Sequence, residues 1–436
     1  MNAAYLKRNS HKVFALCFFA YAAIYVGRKN FGACMNAMIG EGIIDKTYGG
    51  AILTAFLAAY ATGQMVNGML GDRFSPKNMI SLGLMGAGCV NVIMGLNYFP
   101  GLFIVLWCMC GVFCSMLWSP VIRCMAEWLP DEHRTLAGTH ISATIPVGTV
   151  TSYLICSLML KTVGWRAAFI VCGCILIAAA VIFRLGVRMI RGFISEIEKI
   201  NRENIRKNTA AEEKSHGHHS VVGIIISFGV SFTAVGILFN GILKDGLESW
   251  VPTFITSAFG ATESLASLLT AVLPIISLVG VYFAKWMYSR FFRCNEMLTS
   301  GVLFGISTVL MIPITLLTTL DTSAMGDGAR VALMVVSVVL IGAVISLMLG
   351  VNTLYLTFIP LCFGKIGRAS SVTGLLNAFS YGAAALSGIA IGFISENLGW
   401  TATIIAFTGA AALGAVAGFA GSGVWRRGKE RLSAGE

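Results

Sequence analysis

The chain has 436 residues, 56% of them hydrophobic and 12% charged, and a mean hydropathy of +0.80. That is about half the charge of a soluble domain, and apolar runs of about 20 residues, enough to cross a bilayer core, recur from end to end. The net charge of +11 does not indicate nucleic acid, because the basic residues gather at the ends of the apolar runs, as membrane topology requires.

Twelve membrane spans are expected: roughly 13–37, 48–70, 79–98, 102–127, 136–160, 167–186, 221–243, 264–288, 297–319, 331–359, 370–394 and 401–424. The first run is too long for a cleaved signal segment and lacks a small-residue cleavage site, so it is expected to remain as the first span. It contains AYAAIYVGRKNFGACMNAM, residues 20–38. Tyr21, Tyr25, Arg28, Gly32 and Asn36 recur at helical spacing along one face. A cation at mid-span costs about 2.5–3.5 kcal/mol even on a lenient insertion scale. No acidic residue lies deep in the first six spans. The cost is tolerable where the residue faces a water-filled cavity, and there the cation attracts anions. Arginine offers a bidentate fork and tyrosine an O–H donor, a pairing suited to phosphate or carboxylate. Lys29 lies one residue off that face, and snorkelling is an equal alternative for it.

The second span carries Tyr60 and Gln64 and leads into NGMLGDRFSPKN, with Gly68, Asp72, Arg73 and Lys77. The fourth span holds Arg123 one helical turn before Glu127, the spacing of an i,i+4 ion pair. His140, in the fifth, is expected to be structural. The cysteines, such as Cys108, Cys110 and Cys114, sit inside apolar runs and read as packing residues, not metal ligands. No metal or cofactor is implied.

A polar segment at 187–219 separates an N-terminal six-helix half, 1–186, from a C-terminal six-helix half, 220–436. In it Ile190, Phe193, Ile194, Ile197 and Ile200 share one helical face, which predicts an amphipathic helix on the inner leaflet. The His216–His219 cluster reads as solvated linker. In the seventh span Lys244 stands in GILKDGLESWVPTF. Two readings are open. Lys244 pairs with Asp245 or Glu248 across the turn, or it faces the same cavity as Arg28 from the other half. In VYFAKWMYSRFFRCN, Ser289 stands where the loop after the second span has its acid, so that motif is degenerate in the second half. Two segments repeat across the halves, from Arg134 to Trp165 and from Arg368 to Trp400. Each is a basic residue, a small-residue helix and a Gly-Trp turn. Related six-helix halves are a transporter architecture with a site near the midplane. Lys and Arg asymmetry places both termini and the linker in the cytoplasm of a cell (plasma or inner) membrane protein.

These motifs resemble the organophosphate:inorganic phosphate antiporters of the major facilitator superfamily. GRKNFGACMNAM, AAYATGQMVNGMLGDRFSPK, WSPVIRCMAEW and KDGLESWVPTF carry the resemblance. It implies a twelve-helix fold and a rocker-switch exchange of glycerol phosphate or sugar phosphate for inorganic phosphate. It implies that Arg28 and Lys244 clamp the phosphate. Tyr21, Tyr25, Lys29, Tyr60 and Gln64 would line the site, and Gly68, Asp72, Arg73 and Lys77 would form a conformational latch with the N-terminus of the next helix. Gln64 departs from the family, which often has a cavity lysine there. Ile145 stands where some members have a histidine, and Ser249 where an acid is frequent. The expected partners are a small anion, inorganic phosphate and the bilayer, with the protein a monomer. The rival readings are a carrier of sugar acids and a membrane sensor of a sugar phosphate. No P-loop or nucleophile–base set indicates an enzyme.

Overall fold

The computed structural model describes residues 3–199, 230–261, 263–319 and 326–434. The described elements are helical: α1 Ala3–Gly40, α2 Lys46–Arg73, α3 Pro76–Leu96, α4 Leu102–Ser115, α5 Trp118–Trp128, α6 Asp131–Ile141, α7 Thr144–Thr162, α8 Trp165–Met189, α9 Val230–Gly241, α10 Leu247–Phe259, α11 Glu263–Arg290, α12 Glu296–Thr318, α13 Asp327–Thr353, α14 Ala369–Asn397 and α15 Gly399–Ala434. Among the described residues, eleven helical stretches are long and apolar enough to cross a membrane. The 28-residue α11 coincides with the remaining expected span, 264–288.

Proline explains why two spans are broken. Pro120 and Pro146 lack the N–H that would continue the helix bonding. Just before Pro120 the backbone tightens, with Met116 N–H donating to Phe113 O and Leu117 N–H to Cys114 O, and α4 gives way to α5. Before Pro146, Ala143 N–H donates to His140 O, and α6 gives way to α7. Each pair still makes one continuous apolar span, Leu102–Trp128 and Glu132–Thr162.

The chain divides into two compact units. Unit 1 comprises Met1–His218, Pro360–Ala378 and Leu432–Glu436, and unit 2 comprises His219–Ile359 and Phe379–Arg431. In unit 1, small residues let helices cross closely, the rule for packing where lipid removes the hydrophobic drive between helices. Gly88 of α3 and Gly173 of α8 face each other, and a Cβ on Gly173 would lie 2.7 Å from Gly88 O. Gly111 of α4 lets Phe56 and Tyr60 of α2 approach, with an added Cβ 2.6 Å from Phe56 O. The repeated Gly-Trp turns use the same backbone device, since Gly164 and Gly399 adopt φ of 112° and 80°, where a side chain is strained.

Residues 191–199 are helical. Phe193, Ile194 and Ile197 are buried in unit 1, not spread on a leaflet, and Phe193 meets the Tyr5 ring edge-on at 6.1 Å. Trp128 Nε1 donates to Glu198 Oε1 at 2.8 Å. Packing against the protein satisfies the amphipathic face that the sequence assigned to lipid. Ile200 and the His216–His219 cluster lie outside the described residues.

Unit 2 lacks an acid at Ser289, whose hydroxyl donates to its own helix at Lys285 O. A different device closes that loop. Glu296, 1% exposed, accepts from Tyr288 Oη at 2.9 Å, Trp425 Nε1 at 2.7 Å and Lys429 Nζ at 2.6 Å. Lys429 also donates to Cys294 O, at a residue of positive φ.

Candidate functional site

In unit 1, α1 carries Tyr21, Tyr25, Arg28 and Lys29. The tyrosines are buried at 4% and 3% exposure, while Arg28 and Lys29 are half-buried. The Arg28 guanidinium carbon lies 4.2 Å from the Tyr60 ring centroid, 5.1 Å from that of Tyr25 and 5.5 Å from that of Phe56. Three π faces thus surround one cation, and such contacts are strengthened by desolvation. One turn further, Gly32 is exposed, and a Cβ there would meet nothing within 4 Å. Helix α1 is thus uncovered at Gly32, one turn beyond Arg28, while Tyr21 and Tyr25 on the same face are buried. The side chain of Asn36, predicted on the same face, is outside the described residues.

The cage is fixed from behind. Phe56 and Tyr60 stack with interplanar angle 9° and centroids 5.9 Å apart, and Trp107 backs Phe56 at 5.6 Å. Tyr21 lies 4.5 Å from Trp118 and 5.5 Å from Tyr25. Gly148 of α7 lets the Tyr25 Cβ and the Ala22 carbonyl press against it. Sequence reasoning missed Phe56, Trp107 and Trp118. The i,i+4 spacing of Phe56 to Tyr60 was a usable signal, whereas the two tryptophans reach the cage only through tertiary packing.

Gln64, one turn after Tyr60, is fully buried. Its Oε1 accepts from Asn377 Nδ2 at 3.3 Å and lies 3.5 Å from Ser119 Oγ. Its Nε2 has no hydrogen-bond partner. The amide is thus tied to α5 and α14, and one donor remains over.

In unit 2, Lys244 lies in a π-helical turn, Ile242–Gly246, between α9 and α10. Its Nζ is 2.5 Å from Asp245 Oδ1. Of the two readings open for Lys244, the ion pair is the one observed. Adjacent residues do not face each other on a regular α-helix, and the wider i→i+5 turn brings them nearer one face. Nothing in the pattern ILKDG announces that turn. Gly246 packs against Ser387 of α14, where a Cβ would lie 2.6 Å from the hydroxyl.

The loop motif makes a contact different from the expected one. Asp72 does not cap the next helix, α3, whose N-cap Ser75 has no side-chain cap bond. Its Oδ1 and Oδ2 accept from the backbone N–H groups of Ser370 at 3.0 Å and Ser371 at 3.2 Å, in the first turn of α14. Those N–H groups have no partner within their own helix, and the positive end of the helix dipole favours a carboxylate there. Proximity in sequence suggested α3, but Pro76 stands at its start without an N–H to offer. Gly68 meets Gly374 of α14 backbone to backbone, and a Cβ on Gly68 would lie 2.7 Å from Gly374 Cα. Arg73 and Lys77 are exposed. Arg123 pairs with Glu127 at 2.7 Å, as the spacing indicated, and also donates to Phe74 O at 2.9 Å and to Gly71 O. His140 lies edge-on to Phe14 at 6.3 Å.

The family model described as Major Facilitator Superfamily matches residues 17–377. The chain belongs to this superfamily. A solved superfamily structure, the proton:xylose symporter XylE bound to 6-bromo-6-deoxy-D-glucose, superposes with a TM-score of 0.66 over 99% of each chain at 13% identity, which shows the shared fold. Among curated superfamily relatives, the "Probable hexose phosphate transport protein" of Chlamydia muridarum is 24% identical over 91% of this chain and 87% of its own. The "Glycerol-3-phosphate transporter" of Bacillus subtilis is 24% identical over 93% and 90%. The resemblance to organophosphate:inorganic phosphate antiporters read from the sequence therefore stands. The protein is a multi-pass membrane transporter and not an enzyme.

Proposed function

We propose that this transporter carries a phosphorylated small metabolite, a sugar phosphate or glycerol phosphate, in exchange for inorganic phosphate by rocker-switch alternating access. The observation that carries the reading is the Arg28 cage. Aromatic faces hold a guanidinium inside a span, beside an open stretch of helix face at Gly32. Such a group presents a fork of N–H donors to a phosphate, with tyrosines beside it. The names of the relatives, a hexose phosphate and a glycerol-3-phosphate transporter, support the same chemistry.

In this reading Arg28 is the principal phosphate ligand. Tyr21, Tyr25, Tyr60 and Lys29 line the site, and the free Gln64 N–H donor takes the place of a cation. Lys244 is the second ligand, and substrate draws it from Asp245. Asp72, Gly68, Arg73 and Lys77 act at the latch. The termini and the 187–219 linker face the cytoplasm by the Lys and Arg asymmetry.

The test is exchange of labelled inorganic phosphate in proteoliposomes. Arg28→Ala is expected to lower the rate by at least about a hundredfold, since it removes the charged partner of a buried anion. A rate equal to that of the unsubstituted protein would overturn the proposal.

A further inference from the structure

A second group of cations lies in unit 1, away from the Arg28 cage. Arg73 is thirteen residues beyond Tyr60 on the same helix, about 20 Å along its axis. Arg73, Ser75 and Lys77 at the α2–α3 junction, with Arg191 and Ser195 of the 191–199 helix, line a cavity of about 410 Å³. Arg123, Glu127 and Glu198 also line it. Both carboxylates are engaged by other residues, Glu127 by Arg123 and Glu198 by Trp128. Arg123 is held by that pair and by the Gly71 and Phe74 carbonyls. Arg73, Lys77 and Arg191 are exposed toward solvent. Glu198 keeps its negative charge against the Trp128 indole and the Arg123–Glu127 pair is neutral, so Arg73, Lys77 and Arg191 leave the lining with a net charge of about +2, which a bound dianion balances. The cavity also sits at the start of α3, where the N-cap hydroxyl makes no cap bond and the helix dipole favours negative charge.

We propose that this cavity is a second anion site, one that binds a phosphate monoester group. Arg73 and Lys77 hold it from the α2–α3 junction and Arg191 from the helix after α8. The group has two sources with one chemistry, a soluble phosphate or the headgroup of a phosphatidic acid. Its binding ties the loop next to Asp72 to the 191–199 helix and so stabilises the loop conformation that caps α14. None of its ligands belongs to the Arg28 cage, although Arg73 and Lys77 are also residues of the proposed latch, so the test reads binding and not transport.

The experiment uses the full chain with Arg28→Ala, which removes the cation of the proposed transport site. Thermal unfolding is followed in neutral phosphatidylcholine nanodiscs during titration with inorganic phosphate, with chloride at matched ionic strength as control. A parallel arm uses nanodiscs containing phosphatidic acid. Ligand that binds the folded state raises the melting temperature. The proposal expects a rise in at least one arm, and Arg191→Gln is expected to weaken it by about tenfold in apparent affinity. A rise with phosphate in neutral nanodiscs assigns a soluble ligand, and a rise with phosphatidic acid alone assigns a lipid. No rise in either arm, a rise matched by chloride, or a rise unchanged by Arg191→Gln with Lys77→Gln overturns the proposal. If Arg28→Ala does not fold, the unsubstituted chain is compared with Arg191→Gln in its place, and an equal rise in the two overturns the proposal.

Discussion

Arg28 and Lys244 stand at matching positions in the reading of the sequence, yet the structure surrounds them differently. The Arg28 guanidinium lies against the π faces of Tyr60, Tyr25 and Phe56. Lys244 lies against a carboxylate 2.5 Å away, so the Lys244–Asp245 pair has no net charge. An anion at Lys244 must therefore compete with Asp245, and that competition separates a ligand from a structural pair. If Lys244 binds substrate, Asp245→Asn should raise phosphate affinity several-fold, Lys244→Ala should lose exchange, and Lys244→Ala with Asp245→Ala should stay inactive. A pair with a purely structural role behaves differently, because removing both charges leaves no uncompensated ion. Exchange at the unsubstituted rate in the double variant would thus remove Lys244 from the site.

At the scale of elements, the junction of α2 with α14 illustrates what pattern can and cannot carry. The motif of Gly68, Asp72 and Arg73 is where the resemblance puts the proposed latch, but the partner of Asp72 is about 300 residues away in the chain, at Ser370 and Ser371. No periodicity specifies a contact of that separation. The spans were legible, because a 20-residue apolar run is a local fact, whereas the breaks before Pro120 and Pro146 and the early start of α1 at Ala3 were not read from the sequence. The π turn at Lys244 was not, since it depends on Gly241 and Gly246 seating against α14. The cage around Arg28 was legible in part. Tyr25 and Tyr60 come from spacing and resemblance, whereas Trp107 arrives only by packing. The junction makes a specific prediction. Asp72→Asn keeps the shape but loses the charged acceptor for two N–H groups, which should cost about 1–2 kcal/mol of stability. Gly374→Val places atoms against Gly68 and the Gln64 carbonyl and should cost about 1–3 kcal/mol. Both should lower the melting temperature and speed alkylation of a cysteine placed at Ser371, which is 3% exposed. Unchanged alkylation in Asp72→Asn would mean that the cap does not hold the junction.

For the molecule as a whole, the distribution of carboxylates bears on how transport is driven. A carrier coupled to protons needs a titratable group in its core that is free to change partners. The carboxylates within the spans whose partners are described are already engaged: Asp72 by the α14 amides, Glu127 by Arg123, and Asp245 by Lys244. Glu296, the carboxylate buried at 1% exposure, is held by a tyrosine, a tryptophan and a lysine at the start of α12. At rest each of these acids has a partner, although one buried Asp245 oxygen accepts no hydrogen bond, and in the proposed cycle Asp245 is the acid that loses its partner when substrate draws Lys244 away. In the proposed exchange reading, an empty cationic site resists reorientation and a loaded one does not, so flux requires an anion on both sides of the membrane. Proteoliposomes preloaded with inorganic phosphate should take up labelled phosphate at the same rate with and without a protonophore, and should take up little when loaded with chloride alone. Uptake that collapses with the protonophore, or that proceeds equally without internal phosphate, would place the driving force in a proton gradient and require one of the engaged carboxylates to release its partner during the cycle.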